Sequence, residues 1–217
     1  MARIGGSVIR AFVAVELNEE LRAAVSRLQS LIREEIGREL RRRAPGARIQ
    51  WTRPESLHLT LKFLGDIAEE QLDKIQQAIA MAAEGHQSFA VTMKGIGVFP
   101  DLRAPRVIWV GLDGPDAQGS QPIKPAPLVD LAKSIDDALA ALDFAPERRP
   151  FSPHLTLGRI KEHGREVGQA LTATGLLMQH APAGILPVRT VVLMRSELRP
   201  TGSLYTRLCE APLRNPG

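Results

Sequence analysis

The feature that most limits how this chain can fold is an internal repeat. At an offset of 96 residues, Arg53-Pro54-Glu55-Ser56-Leu57-His58-Leu59-Thr60-Leu61 falls on Arg149-Pro150-Phe151-Ser152-Pro153-His154-Leu155-Thr156-Leu157, with seven of the nine positions identical. The same offset lays an apolar strand pattern at Arg10 onto another at Arg106. Two copies at so long a period describe a duplication into two related lobes, not a solenoid. The 217 residues suit a single domain built from such lobes, roughly 8–95 and 104–200, with room for strands to exchange between them.

Hydrophobic periodicity fills in the halves. Ile9 to Val15 is short, β-branched and nearly all apolar, a buried strand. Asn18 is placed to cap a helix whose apolar face carries Leu21, Ala24, Val25, Leu28, Leu31, Ile32, Ile36 and Leu40. That helix reaches about Arg43, with Glu34–Arg38 and Glu39–Arg43 at i,i+4 on its wet side, and Ala44-Pro45-Gly46 stops it. Leu57 to Leu64 reads as a strand, and Asp66 with Glu69 as a capping box. A helix with Leu72, Ile75, Ile79 and Ala82 on one face follows, then a strand from Phe89 to Met93. Gly95, Gly97 and Pro100 are expected to break regular structure there.

The second half runs through the same order. Arg106 to Leu112 is a strand, and Asp113 to Pro127, rich in Gly, Pro and Gln, a loop. Leu128, Leu131, Ile135, Leu139 and Leu142 mark an amphipathic helix. His154 to Ile160 is a strand, and Val167, Leu171 and Leu176 suggest a shorter helix. Val188 to Leu193 is expected as a final core strand and Leu204 to Leu208 as an edge strand.

In a strand, alternate residues share a face. Leu57, Leu59 and Leu61 then enter a core, while His58 and Thr60 point the other way, about 6.6–7 Å apart along the strand. Leu155 and Leu157 repeat the inward pattern, with His154 and Thr156 outward. A single His-x-Thr would be read as the polar side of an amphipathic strand. Packing requires the leucines, however, and does not require the same His and Thr twice on the opposite face. Lobes related by an approximate two-fold axis would bring the two pairs face to face across a cleft. There, two imidazoles can serve as general base and general acid near neutrality, and two hydroxyls can hold non-bridging phosphoryl oxygens. The set suits cleavage of a phosphodiester without metal.

Other chemistries find little support. The motifs contain no carboxylate or cysteine ligand, and His-Glu-x-x-His, Gly-x-Ser-x-Gly and Walker sequences are missing. Gly95-Ile96-Gly97 is too short for a dinucleotide loop. One cysteine, Cys209, allows no intramolecular disulfide. The longest uncharged run, Val167 to Val188, contains Gln169, Gln179, His180, Pro182 and Pro187 and is a poor membrane span. Arg10 and Glu16 spoil Val8 to Val15 as a signal segment, so a cytoplasmic location is expected. A net charge of +4 permits an anionic substrate without demanding one, and 4% aromatics is too few for a broad single-strand stacking platform.

These residues resemble the 2H phosphoesterase family, and within it the archaeal and bacterial RNA 2′,3′-cyclic phosphodiesterases, historically called 2′-5′ RNA ligases. The resemblance runs through Arg10-Ala11-Phe12-Val13-Ala14-Val15, His58-Leu59-Thr60-Leu61-Lys62-Phe63-Leu64-Gly65, Gly95-Ile96-Gly97-Val98-Phe99-Pro100, Arg106-Val107-Ile108-Trp109-Val110-Gly111 and His154-Leu155-Thr156-Leu157-Gly158-Arg159. It implies a bilobal α+β fold with two antiparallel sheets, flanking helices and the active site in a central V-shaped cleft. It implies hydrolysis of an RNA 2′,3′-cyclic phosphate end to a 2′-phosphomonoester, with tRNA fragments among candidate substrates, no cofactor or metal, and a monomer. By family analogy His58 protonates the leaving 3′-oxygen, His154 activates water, and Thr60 and Thr156 bind the phosphate. The motifs are near copies, so the residues themselves do not assign acid and base.

Arg159 is similar to a substrate-contacting position that pairs with phosphate or stacks on the terminal base. Phe63 is similar to one that takes the other face of that base, although strict alternation would put it with Leu61 unless a bulge intervenes. A surface ion pair for Arg159 and core packing for Phe63 are the plainer readings. The loop 113–127 is longer and more Pro-rich than the family pattern, and Met1 to Ser7 reads as an extension. The cluster Arg38, Arg41, Arg42, Arg43 and Arg48 reads first as a solvated helix end and second as a guide for RNA. His86, His163 and His180 read as surface residues. Three alternatives stand beside hydrolysis: 2′-5′ ligation at the same site, a non-catalytic RNA-end binding module, and a small cyclic nucleotide or ADP-ribose cyclic phosphate as substrate.

Overall fold

Strand β1 (Val8–Glu16) divides its side chains by parity. Ile9, Ala11, Val13 and Val15 enter the main core, and Arg10, Phe12, Ala14 and Glu16 occupy the other face. A computed structural model describes residues 7–113, 126–178, 182–200 and 202–215. After β1 come α1 (Glu19–Arg43), β2 (Arg48–Trp51), β3 (His58–Ala68), α2 (Leu72–Glu84), β4 (Phe89–Phe99) and β5 (Val107–Asp113). The chain continues through α3 (Ala126–Ala140), β6 (His154–Glu162), α4 (Gly164–Ala173), β7 (Pro182–Val188), β8 (Thr190–Arg199) and β9 (Gly202–Pro212).

The strands form two antiparallel sheets, one ordered β3-β1-β8-β9 and the other β2-β6-β5-β4-β7. Helices α2 and α3 pack behind the first sheet, and α1 and α4 behind the second. The two sheets approach one another where β3 meets β6. This is the expected bilobal α+β architecture, but the halves of the sequence are not the lobes. β4, from the first half, pairs with β5 of the second, and β8, from the second half, pairs with β1 of the first. α1 and α3 also pack on the sheet opposite to the strands they follow.

Helix α1 ends where its periodicity says. The Asn18 Oδ1 accepts from the Leu21 N–H at 2.9 Å, Glu19 and Glu20 sit in the first turn, and Arg41, Arg42 and Arg43 in the last, each sign favoured by the helix dipole. Leu31, expected on the apolar face, stays largely exposed.

Several expectations fail for identifiable reasons. Gly95 and Gly97 do not break the chain, since β4 runs through them to Phe99. Gly95, at φ +73°, absorbs a register shift against β5. Gly97 lies under the Trp109 ring, where a Cβ would fall 2.2 Å from Cζ2. The expected strand Val188 to Leu193 is two strands, because Arg189 separates the end of β7 from the start of β8. Asp66 stays in β3 and does not cap a helix; the turn after that strand is closed by the Ala68 N–H donating to Gln71 Oε1 at 3.2 Å. β2 is a short extra edge strand that the alternation pattern was too brief to reveal. His86 is half-buried, its ring 2.9 Å from Ser134 Oγ, whereas His163 is exposed at the start of α4. His180, most of the loop 113–127 and nearly all of Met1 to Ser7 lie outside the described residues.

Among the described residues Lys62 is the one buried charged side chain. Its Nζ donates to Asp136 on α3 and to the Ala145 carbonyl at 2.8 Å, tying the motif strand of one half to a helix of the other. Asp136 also accepts the Glu147 N–H at 3.1 Å. Removing one member of such a pair leaves an uncompensated buried charge. Lys62→Met is therefore expected to lower unfolding free energy by roughly 3 kcal/mol in urea denaturation. A loss under about 1 kcal/mol would mean that the pair does little to hold α3 against β3.

Candidate active site

His58 and His154 are the first residues of β3 and β6. Each is half-buried, as are Thr60 and Thr156, while Leu59, Leu61, Leu155 and Leu157 are buried. The leucines face the helices, and both His-x-Thr pairs occupy the helix-free faces of their sheets.

The two imidazoles are oriented by the same local device. His58 Nδ1 lies 2.8 Å from the Ser56 carbonyl oxygen and His154 Nδ1 lies 2.7 Å from that of Ser152. A carbonyl can only accept, so Nδ1 carries the proton in both rings and Nε2 is left to exchange one. The segment before His58 is itself pinned. Arg22 on α1 donates to the Pro54 carbonyl at 2.9 Å and to the Leu17 carbonyl at 3.0 Å, and Arg53 donates to the Ser203 carbonyl at 3.1 Å.

Strict alternation fails at the same place in both motif strands. In β3, Lys62 pairs with Val13 and Thr60 with Ala14, so Leu61 is an extra residue in the ladder. In β6, Gly158 pairs with Ile108 and Thr156 with Trp109, so Leu157 is extra in the same way. Each bulge flips the parity of the residues after it. Phe63 and Arg159, themselves 96 residues apart, thereby rejoin the face of the histidines. The plainer reading of Phe63 as a core residue is overturned: its side chain is 63% exposed, with its ring 6.0 Å from that of Phe12. Arg159 is exposed, and its guanidinium makes no hydrogen bond or ion pair among the described residues.

Aromatic rings flank each imidazole. His58 lies 4.7 Å from Phe12 and 5.0 Å, edge-on, from Tyr205. His154 lies 4.9 Å from Phe99, edge-on, and 6.3 Å from Trp109. Phe12, Ala14, Val192 and Met194, with Tyr205, form a small apolar cluster separate from the main core. These walls were not found from the sequence, because Phe12, Phe99, Trp109 and Tyr205 come from four different strands.

Burial holds both histidines below the ordinary imidazole range, since desolvation penalises the charged ring. The hydrogen bonds to Ser56 and Ser152 oppose that shift, and the Arg159 charge adds to it at both rings. One cation on β6 is therefore felt by a histidine in each sheet. Thr60 and Thr156 share the face with their histidines, and neither hydroxyl has a protein partner among the described residues. No three His, Cys, Asp or Glu side chains gather as metal ligands among those residues.

The basic cluster lies elsewhere. Arg38 pairs with Glu34 and Glu35, Arg42 and Arg43 with Glu39, and Arg48 with Glu162. Arg41 and Arg48, with Arg33, rim a groove of about 420 Å³ between α1 and β2 that neither motif histidine lines.

A family model described as LigT like phosphoesterase matches residues 15–109 and 122–205. The RNA 2′,3′-cyclic phosphodiesterase of Methanothermobacter thermautotrophicus is 35% identical over 91% of this chain and 95% of its own length. The protein of the same name from Thermotoga maritima is 30% identical over 93% of this chain and 94% of its own. Among solved structures, TT0787 of Thermus thermophilus superposes with a TM-score of 0.68 at 28% identity, covering 95% of this chain and 99% of that one. LigT of E. coli complexed with 3′-AMP, at 24% identity and a TM-score of 0.63, covers 95% of this chain and 99% of its own and shares the fold. With both copies of its repeat inside the matched segments, the chain belongs to the LigT-like phosphoesterase family.

Proposed function

We propose that this chain hydrolyses the terminal 2′,3′-cyclic phosphate of RNA to a 2′-phosphomonoester, using two histidines and no metal. The observation that carries the reading is the matched pair of imidazoles. Each has its Nδ1 held by a backbone carbonyl, one sits on each sheet, and both lie within the field of Arg159. The names of the relatives, RNA 2′,3′-cyclic phosphodiesterase, supply the substrate class.

The chemistry is balanced by one proton taken and one given. His154 Nε2 removes a proton from water, and the oxygen attacks phosphorus. The bond from phosphorus to the ribose 3′-oxygen breaks as His58 Nε2 gives that oxygen its proton. The product carries a 2′-phosphate and a 3′-hydroxyl. Thr60 and Thr156 donate to the non-bridging oxygens, and Arg159 offsets charge gathering on the phosphoryl group. Phe63 offers an exposed ring to the terminal base.

An oligonucleotide ending in 2′,3′-cyclic phosphate should be opened with the phosphate retained on the 2′-oxygen. His58→Ala and His154→Ala should each lower turnover at least about 100-fold while near-ultraviolet circular dichroism shows the fold intact. Near-wild-type turnover in either variant would defeat the two-histidine mechanism. Binding of the oligonucleotide without product would favour an end-binding module, and joined product on adding a 5′-hydroxyl acceptor would favour ligation. EDTA should leave turnover unchanged; loss that zinc restores would point to a metal.

The directions of the shifts set the pH dependence. A histidine held below its ordinary value loses its proton earlier as pH rises. The kcat/KM profile, which reports the free enzyme, is therefore expected to be a bell with both limbs on the acid side of an ordinary imidazole. The kcat profile should lie at higher pH, because a bound phosphate anion favours imidazolium. A kcat profile at lower pH than that of kcat/KM would contradict this account.

A further inference from the structure

The two motif strands are near copies, but the strands beside them are not. In the β1–β3 ladder the residue directly opposite His58 is Glu16. In the β5–β6 ladder the residue directly opposite His154 is Gly111. Residues opposed in an antiparallel ladder project from the same face with Cβ atoms about 5 Å apart. His58 thus has a carboxylate as its cross-strand neighbour, and His154 has none. The asymmetry is built into the packing. A Cβ at Gly111 would lie 3.0 Å from the Lys94 carbonyl oxygen and 3.3 Å from the Trp109 ring, so a counterpart of Glu16 in the second sheet would crowd the Lys94 backbone.

We propose that Glu16 is the positioning residue that divides the labour between the two histidines. Its carboxylate favours the charged imidazolium of His58 and so makes His58 the proton donor, while His154, facing Gly111, stays neutral and takes the proton of water. The inference rests on the two-histidine hydrolysis proposed above and assigns its acid and its base from this chain's own residues.

The groups facing His58 support the assignment. From β1, Glu16 favours the charged ring. From β6, across the cleft, Arg159 disfavours it. From β9, Tyr205 meets the ring edge-on, and Arg207 is ion-paired to Glu16 and Glu210. β8 presents Val192 and Met194, which carry no charge. In the turn before β3, Arg53 lies 3.5 Å from Glu55 and donates to the Ser203 carbonyl. Glu16 is thus the anion that acts on His58, and Arg207 holds its carboxylate through an ion pair. At His154 only the hydrogen bond to Ser152 opposes burial and Arg159.

The test uses Glu16→Gln, which keeps the shape and removes the charge, with Glu16→Asp as the variant that keeps it. In Glu16→Gln the alkaline limb of the kcat/KM profile, set by the acid, should move to lower pH, while the acid limb stays. Turnover on the alkaline side should fall on the order of threefold. Glu16→Asp should keep the alkaline limb near its wild-type position. Proton NMR titration of the His58 ring in the free protein should show the same downward movement in Glu16→Gln, with His154 unmoved. An unmoved His58 resonance and an unmoved alkaline limb would overturn the assignment. Movement of the acid limb instead would make His58 the base and overturn it equally. Wild-type protein that does not open the cyclic phosphate at all would defeat the proposed hydrolysis, whereas the ring titration would still report whether Glu16 acts on His58.

Discussion

The extra residues Leu61 in β3 and Leu157 in β6 decide which side chains share the face of the histidines. Without the bulges at Leu61 and Leu157, strict alternation would send Phe63 and Arg159 into the core with the leucines. With them, each strand keeps three of these side chains on one face and still buries its leucines. The parity change has a consequence on the other face. In β3 it turns Lys62 inward, and the fold must supply Asp136 and the Ala145 carbonyl to receive it. In β6 the equivalent position is Gly158, over which Ile49 and Trp51 pack so closely that a Cβ would lie 3.1 Å from each. The bulge at Leu157 is further anchored by its carbonyl, which accepts from the Thr52 N–H at 2.9 Å and from Gln29 on α1 at 2.8 Å. The two copies solve one geometric problem with different side chains.

The histidines are held between opposing influences. Burial among Phe12, Tyr205, Phe99 and Trp109 favours the neutral ring, and Arg159 pushes the same way. The Ser56 and Ser152 carbonyls favour the charged ring, because the bond from Nδ1–H strengthens when the imidazole is a cation. Burial prevails at both rings, and an anionic phosphate brought beside them would act in the opposite sense, favouring the cation.

Much of this was legible in the sequence. The duplicated His-x-Thr pairs, the leucines opposite them and the capped helix after Asn18 each depend on contacts within a few residues, which periodicity reports. Strand exchange was not legible, because which sheet accepts β4 or β8 depends on long-range pairing that leaves no local mark. Gly95 and Gly97 were misread for a related reason. Glycine signals a turn when judged alone, but here it admits a register shift at one position and the Trp109 ring at the other. A bulge before Phe63 could be named as a condition but not located, since Leu61 and Leu157 look like ordinary inward residues and their extra status exists only relative to β1 and β5. The pairing of Glu16 with His58 was not legible, because it is a matter of register between two strands with the whole of α1 between them in sequence.

Exchange of strands between the halves also bears on the cleft. If each half formed its own sheet, the two motifs would sit on bodies joined by a single linker, and the distance between the imidazoles would vary with hinge motion. Here the chain crosses from one sheet to the other several times, with β4 and β8 each locked by antiparallel ladders on both sides. Lys62 and Asp136 tie α3, from the second half of the sequence, onto β3 of the first sheet, and β3 meets β6 where the sheets approach. General acid–base catalysis by two side chains loses much of its advantage when their separation drifts by an ångström. A duplicated half that kept its strands to itself would have made the same two motifs without fixing one against the other.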